Sequence, residues 1–338
     1  TIFIFHQLKY IEKMGKAFER VVVVFLENTM RSSALANPYL NQLRQKGVFM
    51  SNAQGVTHPS QPNYIATIAG DTMGIADDDA HYMDWFWVTP DSEQAHDTGS
   101  YRWHEEGYSP VTLVDLLEAN NLSWKCYVES LPPDAEYKDK LQYDLTQSPA
   151  ENLTRVPSDN GLFPYARKHV PFLSFPSIVS NPDRLAKIVH ADEFEADMKN
   201  EHGAYKLPHF SFYVPDLLND GHNVTEELYR PAANNIDLGP NTPNLMNIEN
   251  FLRNFLGNDP VGKFPPETLI VITFDEAYPY AFDYGIYTLL LGDFLQAGTT
   301  CADPVNHYSL LRSIEDNFGI GSLKRHDAMA RPYWFLRD

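Results

Sequence analysis

The stretch VVVVFLEN, residues 21–28, decides the fold class. Four valines, Phe25 and Leu26 run without polar interruption and stop abruptly at Glu27 and Asn28. A strand with one wet face alternates apolar and polar side chains. An unbroken, β-branched run is the pattern of a strand buried on both faces, as in a parallel sheet covered by helices. TLIVITFDE, residues 268–276, repeats the pattern and stops at Asp275 and Glu276. YGIYTLLLGD (284–293) predicts a third strand, and HFSFYVPD (209–216) a fourth that ends in acid. GVFMSNAQGV (47–56) and SWKCYVE (123–129) predict two more.

Helical patterns alternate with these strands. They cover residues 35–46, 60–70, 111–121, 194–200, 244–258 and 308–320, with a short helix near 161–169. The alternation predicts one α/β domain over 18–338, with a largely parallel central sheet flanked by helices, after an N-terminal lead at 1–17. Residues 77–110 and 130–160 lack periodicity and predict long loops or lids, and 217–241 predicts a polar loop. In such a sheet, functional groups gather at the carboxyl ends of the strands.

The whole chain narrows the classes of partner. Its 338 residues carry a formal net charge of −19. A surface that acidic repels nucleic acid and anionic membranes, so no nucleic-acid partner is expected. A small phosphorylated substrate stays compatible, because a bound cation reverses the field inside a pocket. No apolar run reaches the roughly 18 residues that a spanning helix needs, so no stable membrane insertion is expected. Two cysteines, Cys126 and Cys301, are too few for a disulfide scaffold and form no CxxC zinc motif. They leave one disulfide or two thiols open. The start, TIFIFHQLKYIEKMG, is interrupted by His6 and Gln7 and does not read as a signal peptide. A secreted chain that has lost its signal and a cytosolic chain that has lost its initiator Met both fit Thr1. The sequence leaves the oligomeric state open.

Chemistry concentrates at strand ends. Glu27 and Asn28, Asp275 and Glu276, and Asp216 with Asp220 and His222 close behind, all follow strong strands. Carboxylates converging there repel one another, and a hard divalent cation relieves that repulsion. The alternative is a set of strand-end acids solvated by water. The turn in VTHPSQPNYIATIAGD (56–71) adds His58, Ser60 and Asn63 between strand and helix. As an N-cap, Ser60 would simply satisfy the helix N–H groups. Beside a metal and at the positive helix end, it would instead be a nucleophile toward phosphorus. The Asn63 amide, three residues on, reaches the same face. His222 is a candidate proton donor, and His169 and His307 are weaker site candidates. No GxSxG, GxxxxGK[ST], HExxH or GxGxxG pattern competes with this reading.

FERVVVVFLENT, GVTHPSQPNYIATIAGD, YARKHVPF, NDGHN, LIVITFDE and HYSLLRSIEDNFG occur in an order and spacing that resembles the phosphoesterase family, over roughly residues 18–327. That family holds fungal phosphate-repressible acid phosphatases, bacterial acid phosphatases and phospholipases C, and the chain looks most like the first. The resemblance implies an alkaline-phosphatase-like core and a metal-dependent phosphomonoesterase working through a phosphoserine. One divalent cation (Mg²⁺, Ca²⁺, Mn²⁺ or Zn²⁺) would sit at positions matching Glu27, Asn28, Asp275 and Glu276. Ser60 matches the nucleophile and Asn63 a phosphate-binding amide. His58, His169, His222 and His307 match histidines of the family's motifs, with His222 assigned here as the proton donor and the other three as phosphate-binding residues. A secreted or vacuolar location is likewise implied. Two departures stand out. The family commonly has Glu at the position of Gln61, and often Asn and a Thr-Tyr pair where this chain has Ala277, Tyr278 and Pro279.

Overall fold

The computed structural model describes residues 16–76, 78, 110–131, 164–201, 204–223, 242–278 and 284–336. The predicted loops at 77–110 and 130–160, apart from residues 78, 110, 130 and 131, most of the 1–17 lead and residues 224–241 of the 217–241 loop lie outside the described residues.

Ten strands are described: β1 Arg20–Leu26, β2 Val48–Met50, β3 Trp124–Val128, β4 Ile188–His190, β5 Asn200–Glu201, β6 Ala204–Tyr205, β7 Phe210–Val214, β8 Thr268–Phe274, β9 Thr288–Leu291 and β10 Thr299–Cys301. Eight form one sheet in the order β10-β2-β9-β8-β1-β7-β3-β4, and β5 pairs with β6 apart from it. β1 lies at the centre, parallel to β7 on one side and to β8 on the other. The α/β, largely parallel architecture read from the sequence is therefore the one observed. Strand β9 is the exception, running antiparallel to both β8 and β2. Every residue from Val21 to Leu26 is fully buried. Each such side chain stabilises the sheet by about 1.5–3 kcal/mol, which makes β1 a rigid mount for whatever follows it.

Helix α1 spans Ser60–Ala69, α2 Leu113–Ala119, α3 Pro243–Leu256 and α4 His307–Phe318. All ten residues of α1 are buried, because α1 packs against α4 and the 3₁₀ turns at Arg167–His169 and Pro171–Ser174. Helix α3 opens on Thr242, whose side chain accepts from Leu245 N–H, with Pro243 in the first turn. Helix α4 opens on an Asn306–Ser309 capping box and stops at Gly319, at φ 62°.

Some local expectations change. The helix predicted over 35–46 is broken into Arg31–Ala36, Pro38–Leu43 and a 3₁₀ turn at Arg44–Lys46. Pro38 has no N–H to continue the first helix, so it begins a new one, capped by Asn37 Oδ1 accepting from Leu40 N–H at 3.0 Å. The strand predicted over 47–56 is only Val48–Met50, and the helix predicted over 194–200 only Glu193–Asp197. No disulfide joins Cys126 and Cys301. No helix of the described residues is long and apolar enough to cross a membrane.

Two structural predictions arise here. A Cβ on Gly47 would stand 2.1 Å from the Leu290 carbonyl oxygen and 2.7 Å from Leu291 Cδ2. The clash is with backbone of β9, which cannot swing aside. Gly47→Ala is expected to destabilise the chain by about 3 kcal/mol or more, read as a lower urea midpoint. A wild-type midpoint would show that β2 and β9 separate at little cost.

The second concerns Glu315 on α4, which burial pushes up to about 8, with the Asp327 charge adding to it. Its Oε1 accepts from Leu323 N–H at 3.2 Å, while Oε2 has no hydrogen-bond partner. A carboxyl raised on folding leaves the folded state holding more protons than the unfolded one between the two pKa values. Its contribution is therefore lost as pH rises from about 4.5 toward 8. Glu315→Gln is expected to raise Tm relative to wild type at pH 8 and not at pH 4. Equal differences at both pH values would contradict this.

Candidate active site

Three strand ends and one helix start meet at the carboxyl edge of β1. Glu27, the first residue after β1, is fully buried, and its N–H donates to the Asp220 carbonyl at 2.8 Å. Asn28 turns the chain away in a left-handed conformation, φ 49°, which Asn tolerates better than most residues. Its N–H donates to Asp275 Oδ1 at 3.1 Å, tying the end of β1 to the end of β8. Asp275 N–H in turn donates to the Leu26 carbonyl at 2.9 Å. The acids predicted at the ends of β1 and β8 are thus held together by main chain.

Ser60 is not the cap of α1. Pro59 occupies the cap position, and its own side chain makes no capping hydrogen bond. Ser60 is instead the first helical residue, with its hydroxyl turned to the strand ends. Oγ lies 3.1 Å from Glu27 Oε2 and 3.4 Å from Glu276 Oε1, donating to one or the other. Between capping and chemistry, the geometry takes Ser60 away from capping. Tyr64, one turn along, donates to Glu27 Oε1 at 2.6 Å.

The carboxyl groups press on one another. Burial, followed by the charges of Asp275 and Asp220, pushes Glu27 well above the usual carboxylate range. Asp220 is raised chiefly by burial, and Glu276 by burial and then by Asp275. Asp275 is raised by burial against the lowering effect of the Asn28 N–H. Four buried acids cannot all ionise without positive charge among them.

His169, expected among the phosphate-binding residues, lies against two of these acids. Its imidazole is fully buried and stacked on Tyr64, with ring centroids 4.8 Å apart and planes 7° off parallel. Nε2 lies 3.1 Å from Glu27 Oε1, and Nδ1 lies 3.2 Å from Asp220 Oδ2. Neither contact has hydrogen-bond alignment. Both ring nitrogens, Asp220 Oδ2 and Asp275 Oδ2 are buried polar atoms without a hydrogen-bond partner. Burial, then Lys168 and His222, hold the imidazole well below its usual pKa, which favours the neutral form that binds metals. Glu27, His169 and Asp220 each offer one ligand atom, all within 4.8 Å of one another. Orphaned donors and crowded oxygens of this kind fit a divalent cation.

The other predicted residues divide. Glu276 faces Ser60 and pairs with His58 Nδ1 through its second oxygen, while His58 stacks on Tyr284 at 4.9 Å. His307 is buried, and Nε2 donates to the Asp275 carbonyl at 2.6 Å, so it braces the strand end. His222 is buried, its N–H donates to Asp220 Oδ1 at 2.7 Å, and its Nδ1 lies 2.6 Å from Asn223 Oδ1. Asn63 is occupied by the turn itself. Its Oδ1 accepts from Val56 and Thr57 N–H, and its Nδ2 donates to the Thr57 and Pro59 carbonyls at 2.9 and 3.0 Å. Both amide protons are used, so in this arrangement Asn63 builds the turn instead of presenting donors to a phosphate. Asp220 was absent from the expected ligand set, although its place behind the acid-ending β7 had marked it.

The Phosphoesterase family model matches residues 29–230. A probable acid phosphatase from Kluyveromyces lactis is 30% identical over 94% of this chain and 62% of its own length. An acid phosphatase from Aspergillus niger is 30% identical over 95% of this chain and 64% of its own length. The chain thus spans under two thirds of these relatives. A solved structure in the alkaline phosphatase superfamily from Vibrio parahaemolyticus overlays with a TM-score of 0.48 at 12% identity, over 93% of this chain and 70% of that one. The motifs at strand ends and the family match agree, and the chain belongs to the phosphoesterase family.

Proposed function

We propose that the chain hydrolyses small phosphate monoesters through a phosphoserine on Ser60, as a metal-dependent phosphatase of the acid phosphatase type. The observation that carries this reading is the Ser60 hydroxyl, released from capping and pointed at Glu27 and Glu276. The acid phosphatase relatives favour the same reaction class.

Glu27, His169 and Asp220 would hold the cation, with Asp275 at the end of the neighbouring β8 as a further donor. When bound, it would supply positive charge that makes Ser60 easier to deprotonate and offsets charge on the phosphoryl oxygens. The residues then have distinct tasks. Ser60 Oγ attacks phosphorus as its proton passes to the facing carboxylate. The N-terminus of α1 attracts the phosphoryl group. His222 protonates the departing alkoxide, and water afterwards cleaves the phosphoserine. His58 and His307 hold Glu276 and Asp275 in place.

The test is a substrate panel coupled to metal analysis of the purified protein. The expected result is about one equivalent of bound divalent cation, with p-nitrophenyl phosphate turned over faster than bis-p-nitrophenyl phosphate or a phospholipid. Faster diester cleavage would move the chain to the phosphodiesterase branch. No turnover with added Mg²⁺, Mn²⁺, Ca²⁺ or Zn²⁺ would reject catalysis altogether.

A further inference from the structure

We propose that the Lys168 ammonium and the Gln61 N–H form the seat for two non-bridging oxygens of the substrate's phosphoryl group, and that the Asp78 carboxylate fills this seat until a phosphate displaces it. This rests on the reading of Ser60 as the phosphoryl acceptor.

Lys168 is the first observation. Its side chain is 2% exposed, and an ammonium that deep costs several kcal/mol unless anions surround it. Its charge pulls down on Glu27, Asp220 and Glu276, so it stands within reach of three of the four clustered acids. It is also the chain neighbour of His169, which fixes it beside the strand ends.

Asp78 is the second. Its Oδ2 lies 3.2 Å from Lys168 Nζ, and its Oδ1 accepts from Gln61 N–H at 2.9 Å. Gln61 follows Ser60 directly, in the first turn of a ten-residue helix whose dipole favours anions. One carboxylate therefore spans a buried cation and a helix N–H, a spacing that two phosphate oxygens reproduce. Asp78 does this in a hostile place. Its charge raises Asp275 and Glu276, adding a further acid to the four already crowded there. An acid settles among acids only where the positive groups outweigh them. A phosphate monoester, with more charge and a third oxygen, satisfies the same groups better than a tethered monoanion.

An internal occupant lowers apparent affinity by the fraction of time the seat is filled. The probe is inorganic phosphate, measured as its Ki against p-nitrophenyl phosphate on the full, cation-loaded chain, with KM and metal content alongside. Asp78→Asn keeps the shape and removes the charge, and is expected to lower Ki and KM about tenfold with bound metal unchanged. Lys168→Met is expected to raise both about tenfold or more, and to erase the Asp78→Asn gain in the double variant. Where Lys168→Met fails to fold, Asp78→Asn decides alone, since its side chain is 26% exposed and tolerates the change. A wild-type or raised Ki in Asp78→Asn overturns the seat, as does loss of metal, which would make Asp78 a ligand. If wild type turns over substrate and is inhibited by phosphate while Asp78→Asn has no effect, the seat alone falls. If wild type neither hydrolyses the ester nor binds phosphate, the Ser60 reading falls and takes the seat with it.

Discussion

Ser60→Ala is expected to lower kcat for p-nitrophenyl phosphate by at least about a thousandfold, because a nucleophile has no substitute in a covalent route. The same change should leave the fold almost untouched. Ser60 does not cap α1, so no helix N–H loses a partner. Alanine is the best helix former, and the position is already in helical conformation. What is lost is the hydrogen bond shared between Glu27 and Glu276, worth about 1 kcal/mol. Activity and stability therefore separate cleanly. Thermal unfolding should shift by a few degrees at most while turnover disappears. Intact mass after acid quench should show a phosphorylated protein in wild type and none in the variant. Retention of more than about a tenth of the rate with a normal melt would remove Ser60 from the nucleophile role.

The core strands were legible in the sequence because burial on both faces leaves no room for polar side chains. β1 and β8 show this most plainly, with every residue from Thr268 to Phe274 buried and β1 paired along its whole length. Strand direction is another matter. The apolar run of β9 predicts a strand, but nothing in TLLL itself tells parallel from antiparallel. β10, the sheet edge, is half-exposed and short, so TTC leaves no apolar signature. The break at Pro38 was legible in principle, since proline in a helix interior lacks its donor.

The site divides along the same physical line. Acids at the ends of β1 and β8 can be read from the sequence because they directly follow strong strands. Asp220 sits six residues beyond the end of β7, Val214, past a short turn, so local pattern ranks it below Asp275. His169 is fixed against Glu27 only by the packing of a 3₁₀ turn on α1, a contact between segments 142 residues apart. The helical position of Ser60 was misjudged by one. A serine before an apolar helix matches the capping pattern, and only the direction of its hydroxyl distinguishes the two uses.

Asp220→Asn is expected to strip the site of metal and activity while making the metal-stripped chain more stable. Asparagine has the shape of aspartate and keeps Oδ1, which accepts the His222 N–H at 2.7 Å. The main-chain bond from Glu27 N–H to the Asp220 carbonyl is unaffected. The change falls on Oδ2, the atom beside His169 Nδ1 at 3.2 Å, where an anionic donor becomes an amide that cannot ligate through nitrogen. Removing partners of ligands costs about 10–100-fold in metal affinity, so loss of a ligand should exceed that, and turnover should fall with it. Stability moves the other way. Burial raises Asp220 on folding, so its ionisation opposes folding as pH climbs above the unfolded pKa, and a neutral side chain removes that opposition. The amide also gives His169 Nδ1 a hydrogen-bond donor, where it now has no partner. A higher Tm after chelation, with metal content and kcat both lost, is the expected signature of a ligand kept for function at a cost to the fold. Wild-type metal content in the variant would show that Asp220 only positions His222, and a lower Tm would show that its charge is already compensated by the protein itself.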